Sequence, residues 1–324
     1  MPAFQYRHIK DLIPTFWSKS SEMVDAVTKL IKDEGKEDEG KDVEFAGWLG
    51  RCTLDIIGKA GLGYEFNAIQ DPNNELNVTY RTISAPSRQA KILGLLAMMA
   101  PPMVPILRRL PLQRNVDVQL AAQKIRSVSR HVIEEKVQIL KEKGTRDIDI
   151  LSVALESGGF TVENLVDQTM TFLAAGHETT ATATTWAVVA LCQHPEIQNR
   201  LREEIRAKLP SVDAGAEMTA ELIEGLPYLH AVCNEVLRYY APVHFTRREA
   251  IRDTTILDQV IPKGTQVVLI PAAINLSKEL WGEDADKFNP ERWLAPKQAN
   301  SGGAVSNYAN LTFLHGMIGP QIIC

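Results

Sequence analysis

The sequence lacks paired cysteines. Cys52, Cys192, Cys233 and Cys324 are scattered through 324 residues with no C-x-x-C spacing, which excludes a metal clip of that kind and argues against a disulfide framework in so large a chain. A reducing compartment fits that usage. Long apolar runs are missing too: no stretch reaches the roughly eighteen residues that a membrane-spanning helix needs, and the N-terminal MPAFQYRHIK has no apolar signal region. Basic charge is not in excess. Lys and Arg total 35 against 40 Asp and Glu, a net charge of -5, so the concentrated basic face that nucleic acid requires is absent and nucleic acid is not an expected partner. No sequence period repeats, which excludes solenoid architectures.

What is present is a composition fit for a large core, 45% hydrophobic and 23% charged. Residues 10–32 place Leu12, Phe16, Met23, Val27, Leu30 and Ile31 at helical spacing, and the charge run KDEGKEDEGKD after them reads as a solvated loop. TLDIIGKAGLGYEF reads as a helix loosened by Gly58, Gly61 and Gly63. The most apolar stretch, ILGLLAMMAPPMVPIL at 92–107, cannot be one straight helix because Pro101 and Pro102 interrupt it. It reads either as buried core or as a hydrophobic loop tip at a membrane face, and the residues alone leave both open. A long proline-free helix is expected from Val162 to Gln193, and Pro195 opens the next one, where its missing N–H has no partner to lose. TTILDQVIPKGTQVVLIP, rich in β-branched residues, reads as a β-hairpin turning at Pro262-Lys263-Gly264. The fold expected is mainly α with small β-sheets.

Two constellations carry chemistry. In Ala174-Ala175-Gly176-His177-Glu178-Thr179-Thr180 a mid-helix glycine costs about 1 kcal/mol, and Thr179 and Thr180 can bond back to preceding carbonyls and open the helix. A carboxylate and a hydroxyl beside such an opening can relay protons; a kinked core helix with an incidental glutamate has the same sequence. Glu235 and Arg238, three residues apart, share a helix face and can pair, and Arg292 in Pro290-Glu291-Arg292-Trp293 offers a third member that a buried pair needs. Alone, E-x-x-R more often decorates a solvated surface.

Taken in order, A-G-x-E-T-T in a long helix, E-x-x-R and P-E-R-W resemble the signature of cytochromes P450, in wording like the fungal microsomal branch. His194-Pro195-Glu196, Arg248-Glu249-Ala250, Ile261-Pro262-Lys263-Gly264-Thr265 and Trp281-Gly282 support the resemblance, which runs over essentially residues 1–316. It implies a partial cytochrome P450 fold, a single incomplete domain over 1–324. Within it, 1–150 form a helical substrate-entry half, 151–316 the central-helix and haem-side core, and 317–324 an aberrant tail. It implies Glu178 and Thr179 as the catalytic acid–alcohol pair. Glu235, Arg238 and Arg292 follow as a structural triad, and Arg248, Phe313 and Gly316 as cofactor-binding residues, Arg248 toward a haem propionate. Val243 to Thr246 and the helix face from Phe172 to Ala175 would line the substrate pocket, and 92–107 would face the membrane at the substrate entry. Haem is the implied cofactor. The implied partners are a small lipophilic substrate, NADPH-cytochrome P450 reductase and a membrane surface, at the cytoplasmic face of the endoplasmic reticulum.

The chain departs from that family in its haem loop, F-x-x-G-x-R-x-C-x-G. Phe313 and Gly316 match; then Ile318 stands for the arginine, Pro320 for the cysteine and Ile322 for the last glycine. Proline supplies no thiolate, and Cys324 sits at the C-terminus with no loop to position it. Met1-Pro2-Ala3-Phe4 resembles an N-P-A-F that lies well inside the family's usual chain, so the chain reads as truncated at both ends, without the anchor. Three readings follow. One is a haem-thiolate monooxygenase lineage, inserting one oxygen atom of O2 into a small lipophilic substrate of fungal secondary metabolism. Another is an inactive fragment or pseudoenzyme that cannot hold haem normally. The third is a membrane-associated helical binding protein.

Overall fold

The computed structural model describes residues 6–34, 42–84, 87–100, 103–143, 149–156, 160–210, 218–296, 298, 301–306 and 308–314. Pro101, Pro102, residues 35–41 of the charge run, and Gly316, Ile318, Pro320, Ile322 and Cys324 lie outside these. The described residues group into two compact units, 15–178 and 6–14 with 179–314, and the division falls between Glu178 and Thr179.

The first unit is helical. It comprises most of α2 (Ile13–Glu34), α3 (Phe45–Ile56) continued by a π-helical turn (Ile57–Leu62), and α4 (Glu75–Ser84). Then come α5 (Arg88–Met99), α6 (Val104–Arg109), α7 (Gln113–Lys143), α8 (Ile150–Glu156) and the first half of α9 (Val162–Gln193). α3 starts where the Glu44 carboxylate accepts the Gly47 N–H, satisfying one of the donors that a helix start leaves over. The wider turn after it ends at Gly63, in the left-handed region at φ 64°. A side chain there would meet Lys136 Nζ at 2.5 Å and Asp149 Oδ2 at 2.9 Å. That close approach lets the turn lie on a buried ion pair, Lys136–Asp149 at 2.7 Å, in which Asp149 also accepts from the Ser152 N–H at the start of α8. The core behind it joins Leu54, Leu62, Leu76, Ile133, Leu165 and Leu173. The proline-interrupted stretch forms two helices, α5 and α6, whose Ile92, Leu95, Leu96, Met99, Met103 and Ile106 are exposed.

The second unit holds α1 (Tyr6–Asp11), the rest of α9, α10 (Pro195–Lys208), α11 (Ala220–Glu224) and α12 (Pro227–Tyr239), followed by four short strands. They are β1 (Thr246–Glu249), β2 (Thr254–Ile256), β3 (Gln259–Ile261) and β4 (Gln266–Leu269). After them come α13 (Pro271–Ile274), α14 (Lys278–Trp281) and a 3-10 turn, Pro290–Trp293. Glu204 on α10 accepts the Tyr228 and Leu229 N–H groups and so caps α12 from outside. Ala190, Ile197, Leu201, Val232, Val236 and Phe288 form the core between these helices.

The hairpin differs from the sequence expectation. β2 pairs with β3 across Leu257 and Asp258, and Leu257 takes the positive φ, 50°, that so tight a turn demands. Pro262-Lys263-Gly264 is not the hairpin turn. It releases the chain from β3 into β4, which pairs antiparallel with β1. Pro262 has no N–H to continue a ladder, and Gly264 at φ 85° turns its own N–H to the Ala250 carbonyl.

Candidate functional site

α9 carries the first constellation. Gly176 is where α9 admits a neighbour: a Cβ there would come within 2.9 Å of Ile57 Cδ1, in the π-helical turn of the same unit. Next to it the Thr53 hydroxyl donates to the His177 carbonyl at 2.9 Å. His177 Nδ1 lies 2.6 Å from the Leu173 carbonyl, which can only accept, so Nδ1 carries the proton. The imidazole is buried against the Tyr80 ring, with centroids 4.4 Å apart, and burial holds its pKa below the ordinary histidine value. The Tyr80 hydroxyl is itself buried with no hydrogen-bond partner among the described residues. Glu178 is exposed, and its Oε1 accepts from the Ser84 hydroxyl at 2.5 Å. Glu178 and Thr179 are successive on the helix and therefore point about 100° apart, so proton exchange between them needs an intervening hydroxyl or water.

The second constellation lies in the second unit. Glu235 and Arg238, both 0% exposed, pair along α12: Arg238 Nε and Nη2 donate to the two oxygens of Glu235 at 2.9 and 2.7 Å. The other Arg238 donors reach the carbonyls of Asn275 and Ala285 through Nη1, at 2.8 and 2.7 Å, and of Lys287 through Nη2, at 2.9 Å. Glu235 also accepts from the Asn289 N–H at 2.7 Å, Arg292 Nε at 3.2 Å and the Trp293 indole at 2.9 Å. Arg292 Nη2 also donates to Asp284 Oδ2, 2.9 Å away. Burial alone would raise the Asp284 carboxyl, but bonds from Asn289 and Arg292, with the guanidinium charge, hold it below the usual carboxylate range. Four buried or half-buried charges thus cancel pairwise, as a low-dielectric interior requires.

Sequence reasoning missed three members of this network, Trp293, Asp284 and Asn275. Asn275 is 0% exposed. Its carbonyl takes Arg238, its Oδ1 accepts the Leu311 N–H, and its Nδ2 donates to Thr312 Oγ1, which in turn donates to the Leu237 carbonyl. The segment leading into Phe313 is thereby tied to the end of α12. The available signal was a lone asparagine inside the apolar run Pro271-Ala272-Ala273-Ile274-Asn275-Leu276. Arg248 lies on β1 and turns its Nη1 to Thr246 Oγ1 and the Arg247 carbonyl. Phe313 is 43% exposed. Gly316 lies outside the described residues.

The cytochrome P450 family description matches residues 1–316 of the chain. The chain belongs to the cytochrome P450 family. It is 46% identical over 319 residues to the cytochrome P450 monooxygenase sphH of Aspergillus fumigatus, a match covering 97% of this chain and 58% of that protein. It is 43% identical over 359 residues to FUM15 of Gibberella moniliformis (97% and 60%) and 40% identical over 372 residues to ALT8 of Alternaria alternata (98% and 62%), each also named a cytochrome P450 monooxygenase. The chain thus spans about 60% of the length of these relatives.

A haem-thiolate centre needs a deprotonated cysteine, since it is the thiolate that favours O–O cleavage. Cys52, buried on α3, gives its thiol to the Lys19 carbonyl, and burial pushes its pKa up to about 11, the reverse of what a ligand needs. Cys192 and Cys233 lie within α9 and α12, away from the Phe313 segment in sequence. Among the described residues, Cys52 does not fit a thiolate ligand.

Proposed function

We propose that the chain carries the scaffold of a haem-thiolate monooxygenase. The reaction of that lineage inserts one oxygen atom of O2 into a small lipophilic substrate, with electrons from NADPH-cytochrome P450 reductase at the cytoplasmic face of the endoplasmic reticulum, in fungal secondary metabolism. The observation that carries the reading is the buried Glu235–Arg238–Arg292 network, saturated with donors and closed by Asp284. On this reading Glu178 and Thr179 handle protons, and the three network residues hold the fold and touch no substrate. The exposed apolar face of α5 and α6 suits contact with a membrane surface; among the described residues no helix is long and apolar enough to cross one.

A second reading, favoured by Pro320 and by a family match that ends at residue 316, is that the 324-residue polypeptide does not itself perform the reaction. The test is the spectrum of the purified, haem-supplemented chain, reduced and exposed to carbon monoxide. We expect no thiolate-type carbon monoxide band. A full band of that type would restore the active reading and overturn the inactive one.

A further inference from the structure

We propose that Arg51 and Arg81 together bind a phosphate-type oxyanion, at a site on α3 and α4 that shares no residue with the Glu178 or Glu235 constellations. Arg51, on α3, is 9% exposed, and a charge so deeply buried is ordinarily paired or saturated with hydrogen bonds. Its guanidinium carbon lies 3.6 Å from the centre of the Trp48 ring, so the indole covers one face of the group. Nη1 donates to the Ile69 carbonyl at 3.3 Å, and among the described residues no carboxylate pairs with the group. The two acids that act on it are committed elsewhere. Asp55 accepts the Ala68 and Ile69 N–H groups at 2.8 and 2.9 Å, and Glu44 turns both oxygens to the Gly47 N–H at the start of α3. Arg51 therefore keeps donors, and a charge, that nothing around it satisfies.

The charge that acts on Arg51 most strongly is a second cation. Burial lowers the Arg51 pKa from its usual value, and the like charge of Arg81 lowers it further, ahead of the opposing effects of Glu44 and Asp55. Arg81 is exposed on α4, and among the described residues no carboxylate pairs with it either. Two guanidinium groups held near each other without an acid repel, and an anion between them relieves the repulsion. An arginine stacked by its face offers a ligand only its edge, where paired N–H groups match two oxygens of a phosphate or phosphate ester. Arg81 supplies the second charge that a phosphate dianion needs. A single carboxylate would neutralise one cation and leave the other.

The inference goes beyond the monooxygenase reading, and its test needs no haem, so either can fail without the other. Sodium phosphate is titrated into the full chain by calorimetry at slightly alkaline pH, with sodium chloride at matched ionic strength as the control. One saturable site is expected with phosphate and none with chloride. Arg81→Gln should weaken binding by about tenfold or more, the loss of one charge-assisted bond. This variant also removes a repulsion, so without phosphate it should melt no lower than the parent; it should lose most of the rise in melting midpoint that phosphate gives the parent. Arg51→Lys keeps the charge but not the paired edge, and should likewise bind about tenfold more weakly. Arg202→Ala, on α10, should bind within about twofold of the parent. Glycerol 3-phosphate and liposomes of phosphatidic acid in phosphatidylcholine separate two sources of the same chemistry. Binding of the free ester points to a soluble phosphate ester and binding confined to the liposomes to a lipid headgroup, and either supports the site where Arg81→Gln abolishes it. No saturable binding of phosphate, ester or liposomes by the folded parent, an equal response to chloride, or undiminished binding in Arg81→Gln would each overturn the proposal.

Discussion

Arg238→Ala tests whether the buried network holds the second unit together. The guanidinium has five N–H donors, and the structure commits all five: two to Glu235 and three to the carbonyls of Asn275, Ala285 and Lys287. Truncation leaves the Asn275 and Ala285 carbonyls buried without donors, at about 1–3 kcal/mol each, and the Lys287 carbonyl half-buried. It also takes from Glu235, 0% exposed, the nearer of its two arginines, and breaking a buried pair costs roughly 3–5 kcal/mol. The low ends for the two buried carbonyls and the broken pair together reach about 5 kcal/mol, which rivals the whole stability of a domain, about 5–15 kcal/mol. Arg202 is the control. It is exposed and, among the described residues, bonds Asn199 and Gln198 on its own helix, so Arg202→Ala should stay within about 0.5 kcal/mol. The assay is urea unfolding followed by tryptophan fluorescence, since Trp293 is bonded to Glu235. Should Arg238→Ala fail to accumulate in folded form, Arg238→Lys, which keeps the charge but supplies only three donors, should give a measurable, smaller loss. Equal midpoints for the Arg238 and Arg202 variants would refute the reasoning.

Trp293→Phe keeps a ring in the core but removes the donor to Glu235 Oε2; a loss of about 1.5–3 kcal/mol, read from urea unfolding followed by circular dichroism because the variant lacks the Trp293 reporter, is expected for a bond to a charged acceptor. Lys136→Met strands Asp149 in the first unit, and a loss of roughly 3–5 kcal/mol should appear in that unit's unfolding transition. Burial depresses the His177 pKa below the ordinary 6.5, so the unfolded chain takes up a proton that the folded chain refuses. Stability from this group is therefore complete above about pH 6.5 and declines as the pH falls through the window below it; His177→Gln should flatten the pH dependence of the melting midpoint there. Met99 and Met103, 76% and 50% exposed, should when both are changed to Ser lower co-sedimentation with liposomes and raise the soluble fraction, and unchanged partitioning would make the face ordinary surface.

The long helices were legible because their evidence is local. α9 has apolar positions at helical period and no proline over its whole length, and α10 announces itself with Pro195 in its first turn. What was not legible depends on residues far apart in the chain. β4 finds its partner in β1 and leaves β3, its neighbour in sequence, to β2; Pro262-Lys263-Gly264 has the chemistry of a hairpin turn without being one. Gly58 and Gly61 signalled a loosened helix, but the π-helical turn lies where Ile57 meets Gly176, more than a hundred residues on. Asn275 matters only through Arg238, Leu311 and Thr312, and no pattern around it in the sequence names those partners. The Glu235–Arg238 spacing is common in any helical protein; its meaning came from its order among the other motifs.

The saturation of this network also explains why a scaffold and a chemistry can part company in one chain. Glu235 receives five donors and Arg238 gives five, so neither has an atom left with which to meet a substrate or move a proton. Their work is to fix α12 against residues 275–293, and the Asn275 bonds carry that order as far as Thr312. Nothing in the set reaches for a haem iron. On the reading proposed above, Pro320 standing where the family has its cysteine would leave every one of these bonds untouched. The carbon monoxide spectrum and the Arg238 unfolding experiment therefore interrogate different stretches of sequence, and a polypeptide with an intact second unit and no thiolate band is the expected result. If Arg238→Ala proved harmless in a chain that did show the band, the network would have no structural role even where the chemistry survives, and the division of labour argued from its hydrogen bonds would be wrong.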